Sequence, residues 1–564
     1  MNNFIKILRG KFKKHEIDGY VIPKNDDFFT EYSKINRLKI ISNFSGSAGL
    51  AIILKNKNYL FTDGRYTIQS KIESGKNFKI YGFEKLFNCS LFKKLTLGID
   101  PKLFTNTQIK NYFLKYNKIK HIDKNLIDEI KQHKENKIIQ FFSLNKNVVG
   151  ESVNSKLDKI SEYLKKNKSN YIFISAPENV AWILNIRGGD SPNSPVPNSR
   201  LIINQKKQIL LISDKKKCKK LLRVKIIKKN EFLDIHNLPK KILKLNGKNF
   251  IVDKKTCSIF YENLITSRFK ILNKEDPTYL LKAIKNKIEI KNMINAHILD
   301  GVALTKFLYW IKKINKKKIT EVDAAKKLEK FRKKNRSFLY PSFDTIAGSG
   351  KNGAIVHYRA KKENCKIIGK KDIFLCDSGG QYKYGTTDVT RTICFSKQKQ
   401  NIKNIFTKVL KGHIAVAETD ICKDNTGKKI DKRARKFLNK SNLDYAHGTG
   451  HGVGFFLNVH EGPQSITNIN RVKIKEGMIL SNEPGYYKTD KYGIRIENLV
   501  YVKRKNKKLF FENLTMAPIE KDLINFNLLT ISEKNYLFKY HLEVYSKISK
   551  YLNLNERKWL AGFI

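Results

Sequence analysis

Long apolar runs are missing from this chain. No stretch of its 564 residues reaches the roughly 18 uninterrupted apolar positions of a membrane span. The opening "MNNFIKILRGKFKKHEIDGYVIP" carries charge but neither an apolar h-region nor a small-residue cleavage site, so no secretory signal is expected. Cysteine is sparse. The seven residues (89, 218, 257, 365, 376, 394 and 422) form no CxxC pair, which suits a reducing compartment better than a disulfide frame. These absences predict a cytoplasmic protein without a membrane partner. Acidic residues are also short, 51 against 112 basic ones, and the formal charge of +61 invites a nucleic-acid reading. Arginine, the residue suited to bidentate base and phosphate recognition, supplies only 17 of the 112. The 95 lysines run through every segment beside abundant Ile and Asn, as a biased amino-acid supply would leave them. No specific nucleic-acid partner is expected, although nonspecific polyanion binding at low salt stays open.

What is present is material for several cores. With 41% hydrophobic residues the chain is not disordered, and its length suggests about three or four domains. Residues 1–140 read as α/β, with strand-like "DGYVIP", "AGLAIIL" and "NYLFTDG". A partial internal echo follows: "LTLGIDPKLFTNTQIKNYF" (95–113) and "NFIVDKKTCSIFYENL" (249–264) each give an apolar strand ending in Asp (Asp100, Asp253) and then a helical run. This pattern suggests two related α/β domains in tandem. The second opens with a helix before "YIFIS" and contains a Gly/Pro/Ser-rich loop at 188–199. Asp276-Pro277 marks a break ahead of a long helix, where Leu281, Ile284, Ile288, Ile294, Ile298 and Val302 recur at helical spacing and predict a core face. From about 370 to 500 the texture is short strands with Gly-rich turns. The last sixty residues read as helical, aromatic-rich packing or interface surface.

The stretch "HGTGHGVGFFLNVHEG" places three of the chain's eleven histidines within residues 447–460, among glycines that allow close backbone approach to a ligand. Carboxylates accompany them. In "DIFLCDSGGQYKYGTTDVTRTICF", Asp377 ends one apolar strand and Asp388 begins the next, so a hairpin would bring the two together. Two such carboxylates are costly side by side unless a cation or a proton intervenes. Glu483 ends the apolar run of "EGMILSNEPGYY", and in "YGIRIENLVYV" Arg495 and Glu497 share one strand face, opposite Ile494, Ile496 and Asn498. Four carboxylates with imidazole form a hard, oxygen-rich set with charge for two divalent ions, suiting Mn²⁺, or Co²⁺ and Fe²⁺. Such paired ions activate water and clamp a reacting oxygen.

The order Asp377, Asp388, His451, Glu483, Glu497 resembles the five ligands of the pita-bread metallopeptidases. More closely, "FDTIAGSGKNGAIVHY", "DSGGQYKYGTTDVTRT", "HGTGHGVGFFLNVHEGP", "NEPGYY" and "GIRIEN" resemble the Xaa-Pro aminopeptidases, over nearly the whole chain. The likeness implies an α/β and α+β multidomain fold. Two tandem creatinase-N-like α/β domains (1–140 and 141–277) would precede a pita-bread catalytic domain (278–505) and a helical C-terminal extension (506–564). It implies a metal-dependent aminopeptidase acting on peptides with proline at position 2, and a homodimer. His451 would be a metal ligand, Glu483 the general base, and His357, His447 and His460 would flank the substrate, with Tyr487 and Arg495 supporting the proton path. "APENVAW" and "SPVPNSR" depart from the family pattern. The alternatives are a prolidase restricted to dipeptides and a non-catalytic basic scaffold binding polyanions.

Overall fold

The computed structural model describes residues 2–87, 91–132, 138–314 and 318–564, and the chain forms two compact units, residues 1–278 and 279–564. The first unit holds two six-stranded sheets. One runs in the order Lys79–Gly82, Asn58–Thr62, Leu50–Leu54, Gly19–Pro23, Thr96–Ile99, Lys118–His121. The other runs Phe232–Asp234, Ile209–Ser213, Arg200–Asn204, Tyr171–Ile174, Asn249–Val252, Lys270–Asn273. Strand directions match position for position: two antiparallel pairings inside, parallel pairings outside. The sequence echo is therefore a repeated topology. Asp100 and Asp253 occupy equivalent strand ends, and each caps the turn that follows, accepting from Lys102 N and Lys255 N at 2.9 Å.

These strands read as continuous apolar runs because both faces of each sheet are covered. Along the first sheet the period of two splits the residues between two cores. Tyr20, Ile22, Ala51 and Ile53 enter one; Val21, Leu50, Ile52 and Phe61 enter the other.

The second unit carries a five-stranded sheet (Glu461–Ile466, Gly450–Gly452, Ile479–Asn482, Asn498–Lys505, Lys508–Asn513) and two three-stranded sheets, one of them Ile346–Ser349, Ile373–Ser378, Val389–Cys394. Its long helices include Lys287–Ile314, Glu321–Lys333, Gln400–Ala417, Gly427–Asn439 and Ile531–Ile548. This is the mixed α/β and α+β arrangement of the pita-bread type. The helices at 400–417 and 427–439 interrupt what the sequence suggests is an all-strand stretch. The helix Ile531–Ile548 sends Leu537, Tyr540, Val544 and Ile548 into the same core as Phe406, Ile494 and Ile496, so the extension is structural support for the strands of the site.

The long helix predicted after Pro277 differs from expectation. It is two helices, Thr278–Ala283 and Lys287–Ile314, and the predicted core residues Ile284 and Ile288 lie 36% and 37% exposed. Lys282 and Lys285 are buried instead, because Glu461 takes both ammonium groups, Lys282 at 2.7 Å. Apolar spacing cannot register a buried ion cluster formed with a residue far along the chain.

Candidate metal centre

Asp377 closes the strand Ile373–Ser378, where it pairs with Ile346 on one side and Thr390 on the other. Asp388 immediately precedes the neighbouring antiparallel strand Val389–Cys394. The hairpin expected from the sequence thus forms and brings the two carboxylates together. His451 lies on Gly450–Gly452, Glu483 follows Ile479–Asn482, and Glu483 N donates to Thr449 O at 2.8 Å. Glu497 sits in the break between the strands Tyr492–Arg495 and Asn498–Lys505. The sequence reads that region as one strand; the chain changes sheets there. Arg495 and Glu497 nevertheless meet at one atom, because Thr390 Oγ1 accepts from Arg495 Nε at 3.1 Å and donates to Glu497 Oε2 at 2.8 Å.

All five predicted ligands converge. Ligand atoms of Asp377, Asp388 and Glu497 lie within 4.8 Å of one another, as do those of His451, Glu483 and Glu497, and those of Asp388, His451 and His460. Asp388, His451 and Glu497 each belong to two of these sets, so the sets merge into one cluster that could hold more than one cation. His451 Nδ1 faces the Gly452 carbonyl at 2.9 Å and must donate to it. Its Nε2 then faces Asp388 Oδ2 and Glu483 Oε1, both 3.5 Å away, and is the ring nitrogen left for a cation or a proton.

The electrostatics call for positive charge. Arg495 is the guanidinium paired in the cluster, its Nη2 2.6 Å from Asp377 Oδ2, while Asp377 Oδ1 is buried without a hydrogen-bond partner. Burial, reinforced by Asp388 and Glu483 and opposed by Arg495, pushes the Asp377 carboxyl up to about 7. Burial and the neighbouring carboxylates push Glu497 well above its usual range, and burial also raises Glu483. Burial pulls the His451 imidazole down, but Asp388 and Glu483 outweigh it and take it up to about 9. Carboxyls crowded into holding protons are what a cation site presents without its cations, and divalent ions invert that balance. Four carboxylates, one imidazole and an orphan oxygen fit such ions. A further grouping, Cys394 with Glu520 and Asp522, already has its cation: Lys312 Nζ lies 2.6 Å and 3.1 Å from the two carboxylates.

His460, and Tyr487 with His447, adjoin this cluster. The His460 ring lies edge-on to His451 with centroids 4.3 Å apart. His447 Nδ1 donates to Gly448 O at 2.8 Å, so its Nε2 accepts from Tyr487 OH at 2.8 Å. Tyr487 in turn accepts from Arg495 Nη1 at 2.5 Å. Burial, offset by Arg495, pushes the Tyr487 phenol up to about 12. His357 is half-buried on the loop whose Val356 carbonyl takes Arg495 Nη2 at 3.5 Å.

Several supporting residues escape sequence reasoning. Thr390 carries a signal, since it stands two residues beyond Asp388 and shares its face. Asp431 does not: its carboxylate accepts from Thr449 Oγ1 at 2.6 Å and pairs with Arg435, which donates to the carbonyls of Tyr445 and His447, fixing the histidine loop from a distant helix.

The profile of metallopeptidase family M24 matches residues 291–504. The Creatinase/Prolidase N-terminal domain matches twice, at 5–130 and 132–289, and the C-terminal region of peptidase M24 matches 507–562. The chain is 37% identical over 592 residues to a Probable Xaa-Pro aminopeptidase P of Laccaria bicolor, covering 98% of this chain and 91% of that one. An X-prolyl aminopeptidase of Caenorhabditis elegans, described as a cytosolic enzyme with a di-nuclear active site, superposes with a TM-score of 0.91 at 28% identity, over 100% of this chain and 98% of the other. A prolidase from Pyrococcus furiosus aligns with a TM-score of 0.52 at 25% identity, over 63% of this chain and 98% of its own.

Proposed function

The chain belongs to metallopeptidase family M24, among its Xaa-Pro aminopeptidases, and from that membership we propose that it removes the N-terminal residue from peptides whose second residue is proline. The observation that carries this reading is the convergence of Asp377, Asp388, His451, Glu483 and Glu497 into overlapping sets that share Glu497. The cofactors are two divalent metal ions held by these five residues. Mn²⁺ suits so oxygen-rich a set, with Co²⁺ or Fe²⁺ as substitutes. A dipeptide-restricted prolidase is the weaker reading, because the prolidase likeness covers 63% of the chain and leaves much of it unexplained. The division into domains at 1–140, 141–277, 278–505 and 506–564 is supported by the four matched ranges. A cytoplasmic location is supported by the cytosolic relative and by six free cysteines; the seventh, Cys89, lies outside the described residues. Self-association as a homodimer is supported by Ile531, Phe538 and Leu542, exposed on the helix Ile531–Ile548 of the C-terminal extension.

When bound, the ions supply Lewis acidity, lowering the pKa of a water and polarising the scissile carbonyl. Glu483 takes the proton of the attacking water. Its side chain keeps 17% of its exposure, against 10% for Asp377 and 5% for Asp388, so among these it is the carboxylate within reach of an incoming water. His460, beside His451, and His357 orient the peptide about a proline nitrogen that has no N–H to offer. The hydrogen bonds running from Arg495 through Tyr487 to His447 Nε2 form a directed donor chain that continues from His447 Nδ1 to Gly448 O, and Arg495 also steadies Asp377.

Metal-reconstituted protein should cleave Arg-Pro-Pro between its first two residues faster than it cleaves an Xaa-Pro dipeptide. Glu483→Ala should abolish turnover while circular dichroism stays native. Equal rates for the variant and the wild type refute the mechanism, and preference for the dipeptide reinstates the prolidase.

A further inference from the structure

His357 sits on irregular chain that leaves the strand Ile346–Ser349 and rejoins a sheet at Ile373. Apart from a short 3-10 turn at Gly350–Ala354 this excursion has no regular structure, so its shape depends on hydrogen bonds reaching in from elsewhere. One side chain supplies them at four points. Glu321, the first residue of the helix Glu321–Lys333, is fully buried. Its carboxylate accepts from Ser349 N at 2.7 Å, from Asn352 Nδ2 at 3.0 Å to each oxygen, from Tyr358 OH at 2.8 Å and from Lys366 N at 2.8 Å. Glu321 N also donates to Lys366 O at 3.0 Å. Ser349 at the start, Asn352 in the first turn, Tyr358 beside His357 and Lys366 further along are therefore held by one group.

None of these donors is a cation. A carboxylate withdrawn from water is expensive unless every lone pair is used, and here backbone amides, an amide and a phenol use them. The start of its own helix adds favourable potential. The loop so held lies directly on the strand of the site. A Cβ on Gly493 would stand 1.8 Å from Gly353 O, and Val356 O takes Arg495 Nη2. Glu321 itself is not among the candidate ligands and contacts none of them through the bonds above.

Taking His357 as a substrate-side residue, as read above, we infer that Glu321 is a positioning residue for it. The buried carboxylate fixes the register of the loop so that the imidazole stands at the site rather than sampling solvent. Misplacing an orienting group by about 1 Å costs on the order of 100-fold in rate. Glu321→Gln keeps the shape but turns two acceptor positions into donors that face donors, and Tyr358→Phe removes a single bond.

The test is a double-mutant cycle on the metal-loaded full chain, with hydrogen exchange as a second readout. Glu321→Gln should lower kcat/KM by about 10- to 100-fold and Tyr358→Phe by less, with metal content unchanged and exchange of the 350–358 amides accelerated. In a His357→Ala background, Glu321→Gln should add little further loss, because both act through one imidazole. Losses that multiply, or loop exchange that stays at the wild-type rate, overturn the proposal. If Glu321→Gln does not fold, Tyr358→Phe in the same cycle gives the decision. Failure of the functional reading shows separately, as absence of Xaa-Pro cleavage by the wild type, and the exchange arm then decides whether Glu321 holds the loop.

Discussion

Glu461→Leu should destabilise the catalytic unit severely, and in a way that pH can correct. The Glu461 carboxylate accepts from Lys282 and Lys285, and all three side chains are between 0% and 2% exposed. The two ammonium groups hold Glu461 below its usual range despite burial, while burial pulls Lys285 below its own. Removing the anion leaves two buried cations and no partner, a change that costs about 3–5 kcal/mol in comparable sites. A lysine can escape by releasing its proton, but at pH 7.5 that is roughly three units below its ordinary pKa and costs about 4 kcal/mol, so the escape offers little relief. For a unit of this size the midpoint of thermal unfolding should fall by about 5–8 °C. The sign with pH follows from proton counting. The unfolded variant keeps protons that its folded form sheds, so stability rises with pH, by up to about 1.4 kcal/mol per unit for each lysine neutralised. Thermal melts followed by circular dichroism from pH 7 to 9 should show the deficit narrowing. Lys282→Met/Lys285→Met/Glu461→Leu should recover most of the loss, since apolar replacement of a whole buried ion cluster is often neutral. A fall of less than about 2 °C at pH 7.5, or a deficit that ignores pH, would refute the reasoning.

Two further outcomes follow from single side chains. Thr390→Val removes the hydroxyl shared by Arg495 and Glu497 and should weaken metal affinity by about 10- to 100-fold, measured as bound metal against free metal after dialysis, with Thr390→Ser close to wild type; unchanged affinity sinks the role given to Thr390. His413 and His541 are buried, and burial together with Arg391 pushes them down to about 3 and about 4. The unfolded chain therefore binds protons that the folded one refuses, and stability should fall by about 2 kcal/mol per histidine between pH 7 and 5, read from urea midpoints; a midpoint that holds steady contradicts the burial argument.

Much of the fold was legible because the physics that forms it is local. Runs such as "LAIIL" and "NYLFT" are rich in apolar residues and read as strands, and the structure covers their sheet on both faces. The repeated strand–Asp–helix signal was a faint trace of two sheets with one topology. The helices Gln400–Ala417 and Gly427–Asn439 are masked in the sequence by the Gly-rich turns on both sides, which dominate the texture of the stretch. Lys282 and Lys285 defeated the apolar stripe, since the charge that permits their burial stands at Glu461.

Residue type and order determined the chemistry of the site: oxygen donors with one imidazole, hard ligands for paired divalent ions, and histidines set among glycines. That much is a property of side chains and needs no coordinates. Tertiary structure alone decided which atoms share a cation position, which way the rings of His447 and His451 are turned, and which remote carboxylates hold their loops. The reason is physical. A shifted pKa or a buried charge depends on distances of a few ångströms between residues far apart in the chain, 118 positions for Asp377 and Arg495 and 179 for Lys282 and Glu461, and only folding sets those distances.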